Sequence, residues 1–303
     1  WNDEQAYPIS TLVSKPPPAD RLAELRRDLD FFFEEQQDSA YLSALRDSQF
    51  VREASAGKLA FIWGSAEVVA DDPAKLRTAP GDKAYLLAPH LDKYFKQARE
   101  EVIVASAYFV PGKEGVAFFR ELEERGVQVS ILTNSLTSTD VPIVHSGYAK
   151  YRKPLLKAGV ELYEMSRQSD MNPELARSKF KGKFKMSGSS QAGLHAKSFV
   201  IDRKVAFIGT LNLDPRSVIQ NTEIGMVISA PKLGAQMAEN FHRSVGRRAF
   251  RVTLDPAGRG RGKLEWRIVE EGREKRFTSE PYSSFWQRFM VGFLRIFPID
   301  SQI

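Results

Sequence analysis

No cysteine occurs in the 303-residue chain, so disulfides, thiolate zinc sites and a cysteine nucleophile are excluded. The compartment stays open, because cytosolic and periplasmic proteins alike can do without the residue. Histidine is scarce, with only His90, His145, His195 and His242, and imidazole chemistry therefore has few places to reside. A charged-then-apolar leader is also missing. The chain opens on Trp1, which reads as a processed or fragmentary start, a fragment being the favoured expectation. What is there is a 42% hydrophobic composition, enough for the core of one large or two modest domains. The formal net charge of +6 suits phosphate-bearing partners without choosing among lipid, nucleic acid and nucleotide.

The chemistry concentrates in GLHAKSFVIDRKVAFIGTLNLDPRSVIQNTEIGMVI, from Gly193 to Ile228. It sets His195, Lys197 and Asp202 as H-x-K-x4-D, then Gly209, Thr210 and Asn212 as G-T-x-N, then Glu223 before a second apolar run. In an extended strand His195, Lys197 and Phe199 share one face, so imidazole and ammonium project to the same side about 7 Å apart. VAFIG and EIGMVI read as the following strands, and the Gly, Asn, Asp and Pro of GTLNLDPRS mark the loop between them. An imidazole, an ammonium and a carboxamide then meet at the end of a sheet. An imidazole serves as nucleophile or proton donor near neutral pH, and Lys and Asn neutralise the oxygens of a phosphodiester as charge builds on them. That is a site for phosphoryl transfer needing neither metal nor other cofactor.

Elsewhere strands and helices alternate. Strands are expected within Lys58–Pro73, at Glu100–Gly112, from Val127 and from Val160, with helices from Pro80, near Lys113–Arg125 and near Gly147–Ala158. The expected fold is α/β, a mixed and mostly parallel sheet with helices on both faces. Ligands of such sheets collect at the strands' carboxyl ends, where Tyr108 with Pro111 and Asn134 with Ser135 line the mouth or merely end their strands. Residues 1–79 read as a linker and helical segment, in which Asp20 caps a helix bearing Leu22, Leu25, Leu29, Phe32 and Phe33 and a second helix runs from Ser39 to about Glu53. Residues 80–248 read as the catalytic half-domain. Residues 249–303 read as a hairpin (AFRVTL, KLEWRIV), taken as an appendage, plus an amphipathic helix.

The motif order and spacing resemble the signature of the phospholipase D superfamily, with Thr210 in place of the commoner Ser. SAYFVPG, TNSLTSTDVP, VHSGYAKYRKPLLKAGVELYE and EPYSSFWQRFMVGFLRIFPID resemble the bacterial cardiolipin synthase branch, particularly its C-type enzymes. The resemblance implies a two-step displacement through a phosphohistidine, with two such motifs meeting at one site. Only one is present here, since HLD, HSG and HRS fit no H-x-K frame, and WNDEQAYPI resembles the stretch just after a first motif. The implied activity is transfer of a phosphatidyl group onto phosphatidylglycerol, making cardiolipin. His195 would protonate the leaving alcohol and then activate the acceptor. Lys197 and Asn212 would bind phosphoryl oxygens with Thr210 in support, and Glu223 would orient a histidine. Asp202 is expected to hold the motif together by ion pairing. The partners implied are an anionic phospholipid and an upstream half-domain or a second copy. Two alternatives of other classes stand beside this: a homodimeric phosphodiesterase or nuclease, and a non-catalytic lipid-binding half.

Lys179, Lys181 and Lys183 alternate with Phe180 and Phe184 in RSKFKGKFK, which suits anionic headgroups, a nucleic-acid backbone, or a merely solvated loop. On a helix from Ser283 to Pro298, Arg288, Gly292 and Arg295 form a narrow stripe and apolar residues cover the rest. The segment is too short to cross a bilayer. It reads as an interfacial helix with Trp286 and Arg288 near headgroups, or as one buried against other protein, and with the resemblance it implies peripheral attachment to the bacterial inner membrane. His145 reads as a helix-start or surface histidine, less often a headgroup contact, and His242 as structural.

Overall fold

A computed structural model describes residues 11, 18, 20–36, 42–43, 46–166, 193–255, 262–270 and 272–294. The chain divides into two compact units, Trp1–Phe61 with Asn172–Lys181, and Ile62–Met171 with Gly182–Ile303. In the first unit helix α1 (Arg21–Gln36) starts immediately after Asp20, as its apolar spacing predicts. Helix α2 (Gln49–Ser55) is capped by the Ser48 hydroxyl, which accepts from Val51 N–H. The basic run with Lys179, Lys181 and Lys183 lies outside the described residues.

The second unit carries the sheet. Its strands are β1 (Ser65–Ala70), β2 (Glu101–Ser106), β3 (Gln128–Asn134), β4 (Glu161–Met165), β5 (Lys197–Ile201), β6 (Val205–Gly209), β7 (Ile224–Ser229), β8 (Ala249–Leu254), β9 (Leu264–Glu270) and β10 (Arg273–Phe277). They form one sheet in the order β1-β7-β6-β5-β2-β3-β4-β8-β9-β10. Only β2, β3 and β4 run parallel, so the sheet is mixed but not mostly parallel. The reason is local. Parallel neighbours need a crossover, which the helix-bearing connections from β2 to β3 and from β3 to β4 supply; β5 returns into β6 through a three-residue turn, which enforces antiparallel pairing.

The sheet crosses both domain boundaries expected from sequence, because β1 pairs with β7 and β8 with β4. The hairpin of β8 and β9 is therefore no appendage. It extends the sheet, and Trp266 on β9 is buried in the main core.

Alternation of side chains along the central strands feeds a core on each face. On one face Val102, Val104 and Phe199 pack with Leu91 and Phe95 of α3 (Ala88–Gln97), Phe119 and Leu122 of α4 (Gly112–Glu124) and Leu155 of α6 (Arg152–Lys157). On the other, Ile103, Leu132 and Val200 meet Ala238, Phe241 and Val245 of α8 (Pro231–Arg248). Helices thus cover both faces, as the alternation predicts. The single helix expected near 147–158 is instead two, α5 (Pro142–Ala149) and α6, because Pro154 would break the interior of a continuous helix.

The terminal helix α9 (Phe285–Leu294) packs on α5 and buries Val291, leaving Phe285, Trp286, Phe289 and Met290 exposed. Arg288 is half-buried, and its Nη1 donates to the carbonyl of Ser283 at 2.5 Å and to its hydroxyl at 3.1 Å. No helix among the described residues is long and apolar enough to cross a membrane.

Candidate active site

Pairing of β5 against β2 sets Lys197 opposite Ser106, so the start of the H-x-K strand lies beside the carboxyl end of β2. The segment entering it is pinned by Asn134, buried at the end of β3. Its Nδ2 donates to Ala107 O at 3.1 Å and Leu194 O at 2.9 Å, and its Oδ1 accepts from Leu194 N–H at 2.9 Å. A side chain thus completes the backbone pairing immediately before His195. Asn134 is buried rather than lining the mouth.

His195 is exposed and Lys197 half-buried, with the Lys197 ammonium donating to the His195 carbonyl at 3.0 Å. Among the described residues nothing hydrogen-bonds the His195 ring. Burial pushes the Lys197 ammonium pKa down, while the carboxylates of Glu223, Asp140 and Asp214 act against that shift and favour its charged form. The Lys197 ammonium thus lies in the field of three carboxylates. Motif spacing supplied Glu223. It gave no signal for Asp140 or Asp214, because each arrives from a different loop.

Asn212 follows β6, where Leu213 N–H donates to the Ser106 hydroxyl at 3.1 Å and Val110 N–H to Leu213 O at 2.7 Å. It is buried, and its Oδ1 accepts from Tyr108 N–H at 3.4 Å. Among the described residues its Nδ2 has no protein acceptor, which leaves a donor for substrate oxygen. The Tyr108 hydroxyl donates to both Asp140 oxygens at 3.0 Å, and burial together with that carboxylate pushes the phenol up to about 12. Tyr108 ends its strand beside Asn212 and is one partner of a pair with Asp140 that its own sequence context did not predict.

Thr210 stands elsewhere in the hydrogen-bond pattern. Its Oγ1 accepts from Ile224 N–H at 3.0 Å and donates to Ile224 O at 3.3 Å. The hydroxyl ties β6 to the residue following Glu223 and supports the site through backbone.

Asp202 departs from expectation. Among the described residues it makes no ion pair. Its carboxylate accepts backbone N–H groups of Arg99, Glu100 and Glu101 at 2.8–3.2 Å. It lies at the far end of β5, about 16 Å from Lys197 by strand rise. Asp202 and Arg203 both take positive φ, 49° and 54°, a left-handed turn that Asp tolerates. Asp202→Asn keeps one acceptor oxygen and loses the charge. It is expected to cost about 1–3 kcal/mol in thermal or denaturant unfolding, with the rate of the folded fraction unchanged.

Two of the other histidines, His242 and His145, are held by side-chain partners. His242 Nε2 lies 2.7 Å from Glu101 Oε1. His145 is buried rather than at the surface: its Nε2 lies 2.9 Å from Arg152 Nη2 and 3.4 Å from Glu280 Oε1.

Residues 91–245, half of the chain, match the family model described as cardiolipin synthase, PLD-like domain. Cardiolipin synthase C of Escherichia coli is 37% identical over 260 residues, which cover 86% of this chain and 53% of that protein. Cardiolipin synthase B of the same organism is 29% identical over 153 residues, 50% of this chain and 31% of that one. Among solved structures, the phospholipase D family member Nuc from Salmonella typhimurium overlaps with a TM-score of 0.41 at 15% identity, covering 60% of this chain and 93% of that one. The chain spans about half the length of the curated relative it matches over most of its own residues. Since the family match encloses His195, Lys197, Asn212 and Glu223 together with the strands that carry them, the chain belongs to the phospholipase D superfamily, in its cardiolipin synthase branch.

Proposed function

We propose that this chain supplies the second of two catalytic motifs for phosphatidyl transfer through a phosphohistidine, forming cardiolipin from phosphatidylglycerol. The observation that carries the reading is an exposed imidazole followed by the half-buried Lys197 ammonium, with the Asn212 Nδ2 unpartnered among the described residues, at one end of the sheet and with one H-x-K in the sequence.

In the first step the imidazole nitrogen of the other motif forms a bond to phosphorus as the bond to the leaving alcohol breaks, and His195 gives its proton to that alcohol oxygen. In the second, His195 takes the proton of the acceptor hydroxyl, whose oxygen displaces the histidine nitrogen. Lys197 and Asn212 hold the non-bridging oxygens, where a desolvated ammonium and a fixed amide act more strongly than in water. The Glu223 carboxylate favours the imidazolium form of the histidine it faces. The other motif comes from an upstream half-domain or a second copy. Peripheral attachment to the bacterial inner membrane is supported by the outward Phe285, Trp286 and Phe289 of α9, which offer apolar surface too short to span.

The test is product analysis with the full-length protein and phosphatidylglycerol vesicles. Cardiolipin and glycerol in equal amounts are expected. Phosphatidic acid without cardiolipin, or cleavage of nucleic acid with no lipid turnover, overturns the reading.

A further inference from the structure

Behind Glu223 lies a buried ion pair that no catalytic motif includes. Lys75 and Asp71 have side chains only 3% and 2% exposed. Lys75 belongs to a 3-10 turn (Pro73–Arg77) after β1, and all three donors of its ammonium have acceptors. These are Asp71 Oδ2 at 2.8 Å, Val218 O at 2.9 Å and Asn221 O at 2.6 Å. The two carbonyls belong to α7 (Pro215–Ile219) and to the loop that leads from it to Glu223. Asp71 faces the same loop. Its Oδ2 accepts Glu223 N–H at 2.7 Å, its Oδ1 accepts Leu87 N–H at 2.6 Å, and its own N–H donates to Glu223 O at 2.9 Å.

Glu223 is therefore held by two routes with one origin. Lys75 fixes the carboxylate that grips the Glu223 backbone. It also fixes the carbonyl of Asn221, whose Nδ2 donates to Glu223 Oε1 at 3.2 Å. A lysine buried this completely incurs a large desolvation cost, and a loop can be tied down by neutral groups more cheaply. What the charged pair adds is a fixed position for one end of a loop whose other end carries the site's carboxylate.

We propose that Asp71 and Lys75 are positioning residues for Glu223, setting where its carboxylate stands relative to Lys197 and to the histidine it orients. The inference rests on the role given to Glu223 under Proposed function. Neither residue touches substrate. Both act through the 218–223 loop.

A double-mutant cycle in the full-length protein on phosphatidylglycerol vesicles tests this, with Lys75→Met as the near-isosteric change. Expected is a kcat lower by roughly ten- to a hundred-fold, the size typical of supporting partners of site groups, with KM little altered. In a Glu223→Gln background the same change is expected to remove less than about three-fold more, because its target is already gone. The pH profile separates this from general destabilisation. A displaced carboxylate no longer favours the imidazolium, so the alkaline limb of kcat/KM moves to lower pH in Lys75→Met as in Glu223→Gln. If Lys75→Met does not fold, Asn221→Ala removes the second route alone and is read in the same cycle. Losses that multiply, or an unmoved alkaline limb, overturn the inference and leave the site reading intact. A Glu223→Gln protein with full activity overturns both.

Discussion

Replacing His195 with asparagine is expected to slow turnover of phosphatidylglycerol by about 10²–10⁴-fold, the contribution of a well-placed general acid–base. Asparagine keeps a polar side chain of reduced size and cannot carry a proton between two alcohols. Because His195 is exposed and unpaired among the described residues, stability should move by no more than about 0.5 kcal/mol, so the loss reports chemistry rather than folding. The proton-transfer role makes a sharper demand. A phosphatidyl ester whose leaving group departs without protonation, such as a nitrophenolate, needs no acid in the first step. Formation of the phosphoenzyme from that substrate should fall by less than about ten-fold in the variant, seen as a burst of nitrophenolate. An equal loss on both substrates assigns His195 as the nucleophile instead.

Arg152→Met is expected to be the most damaging change away from the site. The guanidinium is buried and donates to Glu164 at 2.7 and 3.2 Å and to Glu280 at 2.5 and 3.2 Å, with Tyr148 and Trp266 against its faces at 4.9 and 5.2 Å. Glu164, fully buried on β4, also accepts from the Tyr148 hydroxyl and the Trp266 indole. Removing the cation leaves a charge in the core, at a cost of about 3–5 kcal/mol. In a domain of this size that lowers Tm by roughly 10 °C, read by differential scanning calorimetry.

The same cluster gives the wild-type protein an acid limit. Burial alone would raise the pKa of Glu280, but Arg152 and His145 outweigh it and hold the carboxyl well below its ordinary 4.5. A depressed carboxyl stabilises the fold fully above the unfolded value. That contribution is lost as pH falls from about 4.5 toward the lower folded value. The groups facing Glu280 are Arg152 on α6 and His145 on α5, with Glu164 beyond the guanidinium. In the Arg152→Met protein the acid-side slope of Tm below pH 4.5 should therefore flatten.

Much of the site was legible because it is local. The alternation of HAKSFVID predicts imidazole and ammonium on one side of an extended segment without any distant residue; in the fold the strand begins at Lys197, and His195 immediately precedes it. The fold class followed from strands and helices in alternation, and the hairpin from the turn between AFRVTL and KLEWRIV. What sequence left out is set by contacts at long range. Asn134 reaches Leu194 across 60 residues and Lys75 reaches Asn221 across 146, and neither carries a periodic signature. Strand direction escapes the sequence because apolar strands look alike in either direction. The burial of His145 escapes the sequence for a related reason. Its partners Arg152 and Glu280 come from a neighbouring helix and from the segment entering α9, so only the assembled core reveals that the ring is enclosed.

The staple that Asp202 makes to three amides at the β2 entrance fixes one end of β5, and the imidazole must emerge at the other. The four residues separating Lys197 from Asp202 then behave as a gauge block cut to the depth of the sheet. One residue more or fewer would turn the ammonium to the opposite face or pull the carboxylate off its amides, because the side-chain period along a strand is two. The aspartate of the signature is, on this view, a length standard for the strand whose far tip does the chemistry.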